Sequence, residues 1–344
     1  MLQRHLGERA GLGLLLLVSA ALLLLAIAAG TGIGEMSIPI DTTFLAVTNK
    51  FGWTAVELDP IHQSVIWDYR LSRALVAACC GAGLALCGAI LQSLLRNALA
   101  EPYVLGVSAG ASTGAVSIMI LGLGAGTVTL SAGAFVGAFA SFVFVALLSD
   151  GARAGAGKTI LAGVAASQLF NALTSYIVST SGNAQQARDV MFWLLGSFGG
   201  VRWPEFQLAL AVVVVGLLAS MYFAKALDAF AFGDDAAASL GIPVDAVRVM
   251  LFAVTALMTA TIVSMVGSIG FVGLVVPHAA RFIVGPSHLR LLPTCAVTGA
   301  IFMVVADIVS RTILPQQVLP IGVVTALVGV PFFSIILYRS QRAK

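Results

Sequence analysis

The chain is written mostly in apolar residues, and its charges stand far enough apart to serve as rulers. Between Arg9 and Glu35 lie 25 uncharged residues, between Arg73 and Arg96 lie 22, and between Glu205 and Lys225 lie 19. A helix needs about 20 apolar residues to cross a bilayer core, so each stretch predicts one crossing, the first over about Gly11–Ala29. The 29 residues between Lys158 and Arg188 and the 27 between Arg311 and Arg339 predict one each. The 48 between Glu101 and Asp150 predict two, divided at the glycine-rich Gly122–Gly126. The 32 between Arg248 and Arg281 are too many for one helix and too few for two. Gly267, Gly270, Gly273 and Pro277 interrupt them, which predicts one full crossing and then a short, broken one. Arg290 to Asp307 leaves 16 residues, a crossing that reaches Arg311 if Asp307 lies near an interface or inside the bundle. The pattern predicts an all-α polytopic membrane protein of about ten transmembrane helices, a single transmembrane domain over residues 1–344.

Composition strengthens this reading. Hydrophobic residues make up 59% of the 344 and charged residues 10%, against roughly 25% charged in an average soluble domain. A soluble enzyme or a disordered chain is excluded, and a net charge of +3 is too small for a nucleic-acid-binding face. Residues 1–29 have the basic start and the Ala26-Ile27-Ala28 of a cleavable leader. Their apolar run exceeds the usual ~7–15 residues, so a retained first helix is expected. With an even number of crossings both termini share one side. Placing them in the cytoplasm puts 12 of the 18 Lys and Arg inside, as the positive-inside bias requires. Six fall outside, against that bias: Lys50, Arg70, Arg73, Arg188, Arg202 and Arg311.

Chemistry-bearing patterns are few. Gly155-Ala-Gly-Lys-Thr159 resembles a phosphate loop but has Ala152 where the pattern needs glycine, and no strand precedes it. ATP hydrolysis by this chain is not expected. Cys79, Cys80, Cys87 and Cys295 show no metal or disulfide spacing and are expected to be buried thiols. No bound metal is expected. Asp307 and Arg311 are spaced for a pair on one helix face. A lone intramembrane acid leaves an ion-coupled carrier as a secondary reading. Gly106/Gly110/Gly114, Gly133/Gly137 and Gly196/Gly200 are spaced for close helix packing. Phe232–Pro243 (FGDDAAASLGIP) carries start and stop signals of a short helix, acidic at its start. A docking helix and an ordinary connecting loop both fit it.

Four long motifs occur in order: RLSRALVAACCGAGLALCGAILQSLLRNALAEPYVLGVSAGAS at 70–112, AFGDDAAASLGIP at 231–243, GFVGLVVPHAARFIVGPSHLR at 270–290 and VLPIGVVTALVGVPFF at 318–333. Together they resemble the FecCD-type permeases, membrane subunits of type II ABC importers for iron-siderophores, haem and cobalamin. The resemblance implies a ten-helix subunit in the cytoplasmic (inner) membrane, paired with a second copy or close homologue. It implies two separate ABC ATPase subunits that carry ATP and magnesium, no cofactor on this chain, and a periplasmic or lipid-anchored substrate-binding protein delivering a metal chelate. Residues 231–243 are then the coupling helices, with Phe232, Gly233, Asp234, Asp235, Ala237, Leu240, Gly241 and Ile242 at the ATPase. Ala237, Leu240 and Ile242 are expected in its cleft, and Asp234 and Asp235 at the rim. Arg70, Arg73 and Arg311 match exposed positions that dock the binding protein. Asn97 and Leu99, with Ala156 and Gly157, match the cytoplasmic gate. The chain departs from the family pattern at Ala98, which replaces the usual proline, and at Ala156 and Gly157, which lack the hydroxyls common in cobalamin-type members. Met191–Trp203 resembles the cobalamin type closely. An iron-siderophore or haem is the favoured substrate and a corrinoid the next.

Overall fold

A computed structural model of the protein describes residues 2–34, 36–123, 128–149, 156–180, 183–314 and 317–342. Among the described residues six helices are long and apolar enough to cross a membrane, and four shorter apolar helices accompany them. Together these occupy the stretches that the charge spacing marks out.

The elements in chain order are α1 (Leu2–Gly32), α2 (Ile40–Lys50) and α3 (Pro60–Ser64), which leads through a π turn (Val65–Leu71) into α4 (Ser72–Leu94). A 3-10 turn (Pro102–Leu105) precedes α5 (Val107–Leu121), followed by α6 (Leu130–Leu148), α7 (Ala156–Thr180) and α8 (Ala184–Leu194). Next come α9 (Trp203–Tyr222), the short α10 (Ala224–Phe230) and α11 (Asp234–Ser239), and α12 (Val244–Val266). The chain ends with α13 (Val272–Val284), α14 (His288–Thr312) and α15 (Ile321–Arg342).

Helix α4 is the axis of the bundle: nearly all of it is buried, against α9, α12, α13 and α14. Its composition allows this. A Cβ on Gly81 would stand 2.0 Å from the Gly299 carbonyl of α14, and one on Gly88 would stand 1.8 Å from the Gly273 carbonyl of α13. Without side chains at these points the backbones reach contact distance, the packing mode that serves helices in lipid. Helices α5 and α6 pair in the same way through Gly110 and Gly114 against Gly137 and Gly133, so two of the predicted glycine series act as expected. The third does not. Gly196 and Gly200 lie in the irregular segment between α8 and α9, where a Cβ on Gly200 would meet nothing within 4 Å. All four cysteines are buried and free.

The break after α12 falls where the glycines predict it. Gly267 ends α12 with φ +76°, and α13 starts only at Val272. The intervening non-helical segment is held inside the bundle. The Tyr103 hydroxyl donates to the Ile269 carbonyl (2.6 Å) and accepts from its amide (2.5 Å), and Ser108 donates to Ser268 (2.9 Å). Non-helical backbone at membrane depth persists only where protein satisfies its polar groups, and Tyr103 does so here. The amphipathic α2 and α8 carry no such signal, because a short helix with one polar face leaves no long apolar run.

Candidate functional site

The contacts fix two ends of the bundle. At one, the start of α4 meets the ends of α1 and α14. At the other, the end of α4 meets α10, α13 and the start of α14.

At the first end Asp307, 1% exposed, holds two arginines. Arg73 of α4 donates from Nε (2.8 Å) and Nη2 (2.7 Å) to its Oδ1, and Nη2 of Arg311 stands 3.0 Å from Oδ2. The expected one-turn pair of Asp307 and Arg311 is present. Its extension across to α4 has no local sequence signal, since 234 residues separate Arg73 from Asp307. Arg311 also donates to the carbonyls of Ile33 (2.8 Å) and Gly30 (3.0 Å) at the end of α1. Arg70, turned inward by the π turn, donates to the carbonyls of Gly32 (3.0 Å) and Met36. The three arginines expected to be exposed are therefore not. Arg70 is 5% exposed and Arg311 7%, and the Arg73 side chain keeps 14%. A guanidinium can be buried when a carboxylate and orphan helix-end carbonyls take its five donors. The carbonyls that close α1 do this here.

At the second end, α10 and α11 form a compact unit joined to three spans. Ser93 of α4 donates to the Leu227 carbonyl (2.8 Å). Asp228 Oδ1 accepts from the backbone amide of His288 (2.8 Å) and stands 2.6 Å from its Nδ1, joining α10 to the start of α14. Arg248 of α12 donates to Asp234 (2.6 Å). Neither Asp228 nor His288 was singled out by sequence; a cap made across 60 residues is invisible locally.

The expected coupling residues divide accordingly. Phe232 is 84% and Leu240 73% exposed, and Asp235 and Gly241 are exposed beside them. Ala237 is fully buried within this chain and packs against its core, so it is not free to enter a partner's cleft. Ile242 is half-buried against the same core. Asp234 is taken by Arg248. Gly233, buried with φ +107°, serves the turn between α10 and α11.

The turn after α4 is closed by Asn97. Its Oδ1 accepts from the Leu99 amide (2.9 Å) while its carbonyl accepts from the Ala100 amide (3.0 Å). This Asx turn supplies locally the rigidity that the missing proline would have given. Leu99 projects from it, 46% exposed. Ala156 packs against the apolar cluster that contains Leu95, Ala100 and Leu105, so the two expected gate segments do come together. Gly157 is exposed at the start of α7, with open space around it. Gly155 and Ala152 of the phosphate-loop-like stretch lie outside the described residues. Next to the turn, burial pushes the Glu101 carboxyl up, partly offset by a hydrogen bond from the Phe271 backbone.

A bundle of apolar spans around a buried axis, with a short helical unit fastened at one end, has the build of the membrane-spanning permease of an ABC importer. The chain belongs to the FecCD transport family, whose model matches residues 22–339. It is 40% identical to the cobalamin import system permease protein BtuC of Halobacterium salinarum over 80% of this chain and 73% of that one. It is 38% identical to the Fe(3+) dicitrate transport system permease protein FecD of Escherichia coli over 81% of this chain and 87% of that one. A solved structure described as an inward-facing conformation of a metal-chelate type ABC transporter superposes with a TM-score of 0.82 at 30% identity, covering 94% of this chain and 99% of that one. The protein is a transport subunit and a multi-pass protein of the cytoplasmic membrane.

Proposed function

We propose that this permease imports an iron-siderophore or haem chelate by alternating access, driven by ATP that two separate ABC ATPases bind and hydrolyse. It works as a pair with a second copy or close homologue, with both termini, α10 and α11 in the cytoplasm. The observation that carries this reading is the α10–α11 unit. Two large apolar side chains, Phe232 and Leu240, stand in solvent on an element fastened to α4, α12 and α14. Such side chains are costly in water and suit a partner's cleft. Motion imposed on them passes to three spans through Ser93, Arg248 and His288. In the cleft the expected Leu240 is joined by Phe232, which takes the place of the buried Ala237. A substrate-binding protein docks at the opposite end. Arg73, the least buried of the three, is the one assigned to meet it, while Arg70 and Arg311 hold the helix ends beneath.

An iron chelate is favoured by the hydroxyl-free gate positions Ala156 and Gly157. The second reading, a corrinoid, is favoured by Met191–Trp203 and by the name of the 40% identical Halobacterium relative. Uptake into vesicles holding the complete transporter decides between them. Ferric siderophore, haem and cobalamin are offered with the cognate binding protein, and ATP is enclosed on the side of α10 and α11. Chelated iron is expected to accumulate; cobalamin alone accumulating assigns the second reading.

A further inference from the structure

Helix α2 is partly buried and partly open. Thr43, Ala46 and Thr48 are buried against the protein. Asp41 and Lys50 are exposed on opposite flanks of the helix. Between them runs an apolar stripe with no cover: Ile40 is 82% exposed, Phe44 66% and Phe51 58%. Phe44 lies four residues beyond Ile40, and Phe51 lies eleven beyond it with helical φ and ψ. At about 3.6 residues per turn all three fall on one line. Trp53, 77% exposed, continues the line.

This line is held rigidly. The Trp53 amide donates to the Thr48 carbonyl (3.0 Å). Asn49 fastens the loop beyond by donating to the Val56 carbonyl (2.7 Å) and accepting from the Val56 amide (3.2 Å) and the Thr54 hydroxyl (2.6 Å).

A ladder of rings fixes its height. Phe51 stacks on Trp53 (5.4 Å) and meets Trp67 edge-on (5.8 Å), and Trp67 lies 4.8 Å from Trp203. Trp203 is the first residue of the span α9, and beside it the Arg202 guanidinium lies 3.8 Å over the Tyr69 ring. The stripe thus stands at the level where α9 enters the membrane. On the same side of α9 as Trp203, seven and eleven residues further on, Leu210 and Val214 are exposed. Tryptophan, tyrosine and flanking cations concentrate at that level in membrane proteins.

We propose that α2 is an interfacial anchor. It lies in the membrane plane with Ile40, Phe44, Phe51 and Trp53 inserted at the boundary of phospholipid headgroups and acyl chains, and with Asp41 and Lys50 in water. The anchor would hold the loop between α1 and α4, and with it the Arg70 π turn, at a fixed depth. The proposal needs only that the chain spans a membrane and stands independently of substrate and orientation.

Spin labels on Ile40→Cys, Phe44→Cys and Asp41→Cys test it in the full chain, reconstituted in phosphatidylcholine–phosphatidylglycerol vesicles. The native cysteines are all buried, and unsubstituted protein gives the background. Labels at 40 and 44 are expected to collide more with oxygen than with the water-soluble nickel chelate Ni-EDDA, and the label at 41 the reverse. Ni-EDDA access at 40 and 44 equal to that at 41 overturns the proposal. So does protection that appears only when the substrate-binding protein is added, which would assign the stripe to a protein partner. Brominated lipids give a second reading without new cysteines. Trp53→Phe should remove much of the quenching by lipids brominated near the headgroup; unchanged quenching contradicts the anchor.

Discussion

At the scale of residues, the molecule is organised by a few buried polar groups whose partners lie far away in the chain. Asp307 is the clearest. It is paired with both Arg73 and Arg311, and its loss would leave two largely buried guanidinium groups without their carboxylate. Removing one partner of a buried ion pair costs about 3–5 kcal/mol, so Asp307→Ala should lower the thermal transition of the detergent-solubilised chain strongly. An unchanged melting curve contradicts the clamp. Glu101 gives a pH dependence. Burial raises its folded pKa above the ordinary value of 4.5. Its contribution to stability is therefore fully present below that value and is lost as pH rises through the folded pKa. Glu101→Gln should melt higher than wild type at neutral pH and flatten the dependence above pH 4.5; a variant that loses stability at neutral pH shows the bond from Phe271 to be dominant. Sequence alone supplied the Asp307–Arg311 pair, because one helical turn sets it. It misjudged the exposure of Arg70 and Arg311, because the carbonyls that bury them belong to the far end of α1. Charge bias along a sequence marks a side of the membrane, not a depth.

At the scale of elements, close packing explains which glycines matter. Gly110→Val puts a side chain where the Gly137 carbonyl would lie 2.3 Å from its Cβ, forcing α5 and α6 apart. Gly157→Ala meets open space. The first should reduce yield of folded protein and lower its melting temperature by several degrees, and the second should leave both near wild type. Equal tolerance of the two substitutions refutes the packing argument. The spans were legible because apolar length is a property of the sequence itself, and even the broken crossing at Gly267–Phe271 announced itself through its glycines. Helices α2, α8 and α10 were not, because their amphipathic faces are completed only by the surfaces they lie on. The coupling segment was half legible. Its helix signals showed where it begins and ends, but burial of Ala237 and exposure of Phe232 depend on the turn made at Gly233.

At the scale of the whole molecule, the bundle joins two working ends through a nearly fully buried α4. One is a charge-locked end where α1, α4 and α14 converge, and the other is the end where α10 and α11 are fastened to three spans, the end proposed to dock the ATPase. In the proposed mechanism the energy comes from an ATPase partner that moves α10 and α11. Leu240→Asp, which places a charge on an exposed position and leaves the internal contacts alone, should preserve the fold while abolishing coupled transport. The most direct measurement of the central claim is uptake of a ferric chelate by liposomes containing the purified transporter, with the wild-type chain and with Leu240→Asp. The account predicts uptake by the wild type that requires enclosed ATP and the ATPase partner, is indifferent to proton or sodium gradients, and is lost in the variant. Uptake by the permease alone in response to an ion gradient, or full ATP-driven uptake by the variant, would contradict it.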